Sequence, residues 1–305
     1  MTPVQLLWTK PFDQNNDKFQ SCIHMFLSAM MIKKVYGEVH IMTDYYGREL
    51  VRQLELPYDV IYSELGQMSE LSCFVDAKIL GYKMLADLLP GYLYMDYDVF
   101  ITKPIKNKDL IVQCDEGLNS HPYCLYHYFL DKGVKFQYEY ANEDLRFLNM
   151  GLFRCTDRKI IYDYYEAYFS TIYQNQHLQF DDYHTAQLTM FLEQTYVFKT
   201  IQEHGKTDQI YEYYPRNKPT HNDYVYSVSD HKLDHIIKSY VGRSTHLEES
   251  FYIAPSDINH IDKTGYTHLM HYKGMKEVST DVIEFAFKNY PKEFANLMLN
   301  MKYIC

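Results

Sequence analysis

The chain has 305 residues, long enough to bury a substantial core, and its 47% hydrophobic and 23% charged content excludes a disordered or fibrous architecture. A formal net charge of -10 argues against a nucleic-acid partner, because phosphate neutralisation needs clustered Lys and Arg. The same acidity leaves room for a phosphate-bearing substrate, since one divalent cation supplies the local positive charge.

Six scattered cysteines, Cys22, Cys73, Cys114, Cys124, Cys155 and Cys305, show no CxxC pairing, and several lie in apolar runs. A reducing, cytoplasmic setting is therefore expected. Met1 to Lys10 carries no basic segment followed by a long apolar run. No window reaches the about 18 uninterrupted apolar residues of a membrane span, so neither secretion nor spanning is expected. The 32 tyrosines suit carbohydrate stacking, but they are spread along the chain as ordinary amphipathic packing would spread them.

In chain order, Val4 to Trp8 reads as a buried strand that leaves the sheet at Pro11 and the polar stretch Asp13 to Asp17. From Lys18 to Tyr36, Phe19, Ile23, Phe26, Met30 and Val35 recur at near-helical spacing, with Gly37 as a C-terminal cap. Val39 to Thr43 reads as a strand, Tyr46 to Leu54 as a short helix and Tyr58 to Tyr62 as a third strand, the alternation of a parallel sheet. A helix over Ser72 to Leu89 ends before Pro90-Gly91, and the apolar strand Tyr92 to Met95 runs straight into Asp96-Tyr97-Asp98.

Further on, Leu110 to Gln113, Phe147 to Arg154 and Tyr196 to Thr200 read as strands, and Arg158 to Tyr173 and Tyr183 to Glu193 as helices. His204 to Asp262 is poorly patterned and reads as long loops over a sheet edge or an active site. Asp281 to Lys302 reads as closing helices interrupted at Pro291. The chain shows no repeat, low-complexity tract or linker, so an α/β fold with a mostly parallel sheet flanked by helices is expected.

In such sheets ligands collect outside the carboxyl ends of the strands, where Asp96 and Asp98 stand. Two carboxylates there suit a divalent metal that neutralises a departing diphosphate by bridging its oxygens. A bare Asp-x-Asp is also common by chance in an acidic protein, as a solvated turn. Here the run Tyr92-Leu93-Tyr94-Met95-Asp96-Tyr97-Asp98-Val99-Phe100-Ile101, an apolar strand, an acidic turn and an apolar continuation toward Lys103-Pro104, strongly resembles the DxD element of GT-A glycosyltransferases. The resemblance is closest to the glycogenin-like and bacterial capsule or lipopolysaccharide sugar transferases.

Further elements follow in the family's order. Leu6-Leu7-Trp8 looks like the first nucleotide-binding strand, and Thr43-Asp44 like the acidic turn after the second. Asp76-Ala77-Lys78 resembles the place where such enzymes turn a basic residue toward the donor. Phe147-Leu148-Asn149-Met150-Gly151-Leu152-Phe153 resembles the Asn-x-Gly entry, in which Asn touches the donor sugar and Gly allows close backbone approach; a bulged core strand reads the same way.

His268-Leu269-Met270-His271-Tyr272-Lys273-Gly274-Met275-Lys276 resembles the His-x-x-Gly element that supplies a third metal ligand, best matched by His271, and a phosphate-binding Lys. Lys276 comes earlier than in the usual pattern, no Pro-Trp follows, and Lys273 is a rival. Asp181, Asp182 and Glu193 lie where related enzymes put a carboxylate near the reacting sugar, although acidic residues also open helices.

The resemblance thus implies one GT-A-like domain, with a nucleotide-binding half over 1–113, an acceptor and donor-sugar half over 114–276, and C-terminal helices over 277–305. It implies Mn2+ or Mg2+ held by Asp96, Asp98 and His271, with Trp8, Asp44, Lys78, Asn149, Gly151, Gly274 and Lys276 bordering a nucleoside-diphosphate sugar. The acceptor would be a saccharide or other hydroxyl, with surface polysaccharide synthesis among the implied roles. Asp181, Asp182 or Glu193 would orient sugar or acceptor, with a base needed only if configuration inverts. Two alternatives stand beside it: a catalytically silent nucleotide-sugar-binding module, and a phosphatase using Asp96 as nucleophile.

Overall fold

The computed structural model describes residues 1–10, 18–67, 73–115, 120–140, 145–213, 225–226, 251–252, 258, 261, 265–268 and 275–302. The first half alternates as the apolar periodicity predicts: β1 (Thr2–Leu7), α1 (Lys18–Tyr36), β2 (His40–Thr43), α2 (Tyr45–Gln53), β3 (Val60–Tyr62), α3 (Phe74–Leu88) and β4 (Tyr92–Met95). Gly37 ends α1 at a φ of 86° and donates its N–H to the Lys33 carbonyl at 2.8 Å, a left-handed turn that L side chains resist.

The second half contains β5 (Val99–Ile101), β6 (Leu110–Asp115), α4 (Ser120–Asp131), β7 (Leu148–Cys155), α5 (Arg158–Gln174), α6 (Asp182–Glu203) and β8 (Tyr211–Glu212). The short strands β9 (Val225–Tyr226), β10 (Phe251–Tyr252) and β11 (Tyr266–His268) follow, then α7 (Met275–Asn289) and α8 (Pro291–Met301).

Seven strands form the main sheet in the order β3-β2-β1-β4-β7-β6-β8, and the pairing makes every strand parallel except β7. The chain builds outward from β1 to β2 and β3, then crosses to place β4 on the other side of β1. A sheet that reverses its growth in this way opens a crevice at the carboxyl ends of the two strands flanking the reversal. Separately, β11 pairs antiparallel with β5, setting Tyr266 against Ile101 and His268 against Val99.

Side-chain alternation divides the core into layers. Val4 and Leu6 of β1, Trp8 just beyond it, and Tyr92 and Tyr94 of β4 face one layer, built with α3, α4, α5 and α6. Leu7 faces the opposite layer, where Phe26 of α1, Val51 of α2, Val282 of α7 and Phe294 of α8 meet. Leu93 and Met95 of β4 point the same way as Leu7 and pack with β5, Ile111 and Tyr266.

One local expectation requires correction, and two elements went unmarked. Tyr196 to Thr200 is not a strand but the continuation of α6, a single helix of 22 residues from Asp182 to Glu203. Its buried positions, Leu188, Phe191, Leu192, Tyr196, Val197, Thr200 and Ile201, recur at three- and four-residue spacing, and burial of that face outweighs the β preference of Tyr, Val and Thr. Helix α4 and strand β5 are elements that the pattern of the sequence did not mark. Of the poorly patterned segment, most of 214–262 lies outside the described residues. Among the described residues, no helix is long and apolar enough to cross a membrane.

Candidate functional site

Asp96 opens a turn that carries the chain from β4 into β5, closed by the Val99 N–H donating to the Asp96 carbonyl at 3.0 Å. The Asp96 N–H donates to the Gly151 carbonyl at 2.9 Å, tying the turn to β7. From β1, wholly buried Gln5 donates through Nε2 to the Asp96 carbonyl at 3.3 Å and to Ser28 Oγ at 2.8 Å, while its Oε1 accepts from the Tyr58 hydroxyl at 2.6 Å. Ser28 in turn donates to the Val99 carbonyl at 2.5 Å. The backbone of the turn is therefore held by strands on both sides and by α1.

The charged centre lies on the α3 and α6 side. Lys78 Nζ stands 3.2 Å from Asp96 Oδ1, 3.3 Å from Asp96 Oδ2 and 2.9 Å from Glu193 Oε1. Lys78 and Glu193 are both buried, whereas the Asp96 side chain keeps 18% of its surface open to solvent. Burial alone would lower the Lys78 pKa; the Asp96 and Glu193 carboxylates overcome it and hold the ammonium above its ordinary value. Burial raises Glu193 above the usual carboxylate range, opposed by Lys78 and reinforced by repulsion from Asp96. The Tyr94 hydroxyl donates to Asp96 Oδ1, and the Lys78 ammonium lies 5.2 Å from the centre of the same ring. Asp98 is buried, with 4% of its surface exposed.

Asp96, Asp98, Lys78 and Glu193 are thus the expected residues that the fold brings to one corner, with Asn149 and Gly151 opposite them on β7. The pairing of β6 with β7 is irregular there: Val112 faces Phe153 and Cys114 faces Asn149, so β7 passes four residues while β6 passes two. On its other edge β7 keeps a regular register with β4, Tyr94 against Phe153 and Met95 against Leu152, which sets the Gly151 carbonyl opposite Asp96, and Asn149 Oδ1 accepts the Gly151 N–H at 3.0 Å.

Other expected residues stand elsewhere or carry structural tasks. Asp44 caps α2 by accepting the Gly47 N–H at 2.7 Å through Oδ1, and its Oδ2 accepts both the N–H and the hydroxyl of Thr9 at 2.8 Å. It therefore joins the carboxyl ends of β1 and β2. Trp8 is buried, with Lys10 Nζ 5.6 Å from its ring. Asp181 caps α6 and accepts from the His184 backbone at 2.8 Å and its ring Nδ1 at 2.6 Å. Asp182 begins that helix, eleven residues before Glu193 and so roughly 16 Å away along the axis. The structure therefore does not bring Asp181 or Asp182 to the Glu193 corner. His271, Lys273 and Gly274 lie outside the described residues, and Lys276 is on α7.

Two carboxylates, one of them facing solvent, offer hard oxygen donors of the kind Mg2+ and Mn2+ take. Asp96 retains acceptor capacity beyond Tyr94 and Lys78, since a carboxylate offers about four lone-pair sites. Among the described residues, no group of three or more His, Cys, Asp or Glu gathers to hold a metal. Sequence reasoning missed Tyr94 and Gln5. Tyr94 was legible as the residue two before Asp96 and hence on the same face of β4, and Gln5 as a polar residue inside an apolar strand.

Among solved structures, the chain is similar to an active-site mutant of LgtC, at 10% identity and a TM-score of 0.44, over 97% of this chain and 100% of that one. It is similar to mouse xyloside xylosyltransferase 1 in its apo form, at 11% identity and a TM-score of 0.37, over 69% of this chain and 84% of that one. It is also similar to the apo bifunctional glycosyltransferase WbbM, at 9% identity and a TM-score of 0.41, over 97% of this chain and 51% of that one. No curated protein matches it in sequence. A family model does: the one described as a family of unknown function, DUF6734, takes in residues 1–253, from β1 through β10, and the chain belongs to that family.

Proposed function

We propose that the chain is a metal-dependent glycosyltransferase of the GT-A type, moving a sugar from a nucleoside-diphosphate sugar to a hydroxyl acceptor. The observation that carries this reading is the Asp96-Tyr97-Asp98 turn, which presents one solvent-facing and one buried carboxylate at the carboxyl end of β4, beside the reversal in strand order. Asp96 and Asp98 would hold Mn2+ or Mg2+, which neutralises a departing diphosphate when bound. His271 completes the ligand set in this proposal. It follows His268, paired with Val99, by three residues, which span at most about 10 Å, enough to reach the turn.

Lys78 adds a buried positive charge behind Asp96, and Glu193 holds that charge in place from α6. Glu193 therefore takes the donor-sugar side in this reading, with Asp181 and Asp182 as helix-opening residues. Asn149 and Gly151 border the donor from β7. A second reading draws on one specific contact. Lys78 touches both Asp96 oxygens, so the protein already supplies a cation there, as a catalytically silent nucleotide-binding module would.

Thermal melting with Mn2+ and uridine or guanosine diphosphate tests the proposal. A ligand selective for the native state stabilises it by about 2.7 kcal/mol at a hundred times its Kd. The melting temperature should rise with nucleotide and Mn2+ together, and Asp98→Asn should abolish the rise while leaving unliganded melting cooperative. An unchanged melting temperature with every nucleoside diphosphate tried would overturn the proposal. Calorimetry separates the second reading, which expects nucleotide binding of equal strength with and without Mn2+.

A further inference from the structure

The geometry points to Tyr94 as a positioning residue for the cation site, one whose hydroxyl fixes the rotation of the Asp96 carboxylate. This rests on the proposed metal role of Asp96. Tyr94 lies on β4 two residues before Asp96, and its hydroxyl reaches the Asp96 side chain in the turn. It is fully buried and meets both charges of the centre: its hydroxyl donates to Asp96 Oδ1, and its ring carries the Lys78 ammonium at 5.2 Å.

The ring has little freedom to follow the carboxylate. Tyr82 of α3 packs edge-on against it, with centroids 5.0 Å apart and planes at 81°, and Phe153 of β7 holds Tyr82 from behind at 4.8 Å. A rigid donor on Oδ1 and an ammonium in contact with both oxygens define the rotation of the carboxylate. Without the hydroxyl only the ammonium remains, and because it touches both oxygens nearly equally it leaves the carboxylate free to rotate about its Cβ–Cγ bond. The part of the carboxylate open to solvent then presents no fixed lone pair to an incoming cation.

Hydrogen-bond partners of metal-ligating carboxylates typically govern 10- to 100-fold of metal affinity. Tyr94→Phe removes one oxygen atom and keeps the ring. Its Mn2+ affinity, read by electron paramagnetic resonance of the full chain without donor or acceptor, should fall about 10- to 100-fold. Tyr82→Phe is the companion variant, because it removes a hydroxyl from the adjoining ring that has no hydrogen-bond partner among the described residues. Its Mn2+ affinity should match that of the wild type.

Thermal melting of the same samples separates packing from positioning, since a purely structural tyrosine would shift melting without moving Mn2+ affinity. Tyr94→Phe binding Mn2+ as the wild type does, or both variants losing affinity alike, overturns the inference and leaves the proposed function standing. A wild type that takes up no Mn2+, with or without a nucleoside diphosphate, overturns both.

Discussion

Tyrosine hydroxyls around the acidic corner are buried alike but constrained differently. Tyr94 donates to Asp96 and Tyr164 donates to the Glu193 carbonyl at 2.8 Å, whereas Tyr82, equally buried, has no partner among the described residues. A buried hydroxyl without a partner carries a desolvation cost of about 1–3 kcal/mol. Tyr82→Phe keeps the ring contacts with Tyr94 and Phe153 and removes that cost, so the variant should gain stability of that order, measured as a higher urea midpoint at unchanged slope. A lower midpoint would mean that the hydroxyl has a partner. At this scale the sequence marked Asp96 and Lys78 through their place around β4. It left Glu193 level with Asp181 and Asp182, because choosing among carboxylates on one helix requires knowing which turn of α6 faces α3. Lys78, reaching Glu193 from α3, supplies that information only after the two helices are packed.

Helices set these residues in register, and α5 starts at Arg158, where the sequence placed it. Its cap is Asp157, which accepts the Lys159 N–H at 3.0 Å and also accepts from Lys206, just beyond the end of α6. The Lys206 hydrogen bond is the largest influence on Asp157 and holds its carboxyl below the usual range. A depressed folded-state pKa contributes stability that is complete above the unfolded value, about 3.9, and is lost as pH falls through the folded value. Asn caps a helix about as well as Asp, so Asp157→Asn removes the ion pair and keeps the cap. The variant should be less stable than wild type near neutral pH, and the gap should close as urea unfolding is followed below pH 3.9. A gap that stays constant down to the acid limit of folding would assign the loss to the cap. The same helix pair shows why the second half of α6 was misread. Tyr196 to Thr200 is rich in strand-favouring side chains, and only the buried spacing that continues from Leu188 through Ile201 identifies it as helix. Helix α4 escaped for a related reason: its aromatic residues are distributed on more than one face, with Tyr126 and Phe129 buried and Tyr128 only partly so.

Over the whole molecule, the β1 to β4 sequence pattern made the alternating half of the sheet legible, while the reversed strand β7 and the crossing order had to come from three-dimensional pairing. What the strand order does is interleave segments far apart in the chain. Strand β4 lies between β1 and β7, β11 returns to pair with β5, and the C-terminal helices pack on the sheet face covered by α1. Phe294 of α8, 3% exposed, meets Phe26 of α1 with ring centroids 5.9 Å apart, and Leu297 and Met301 continue the same buried face. The layer they share also contains Leu7 of β1 and Phe100 of β5, whose strands flank the acidic turn. If the C-terminal helices belong to the same cooperative unit as the sheet, truncating Phe294 should destabilise all of it. Removing a buried Phe side chain costs about 3–5 kcal/mol, so Phe294→Ala should lower the melting temperature in a single calorimetric transition whose van't Hoff and calorimetric enthalpies agree. The site should melt with it, so the Mn2+-dependent nucleotide shift should end at the same lowered temperature. Two resolved transitions, with the nucleotide shift confined to the upper one, would instead show α7 and α8 to be a separately melting layer that the acidic corner does not need.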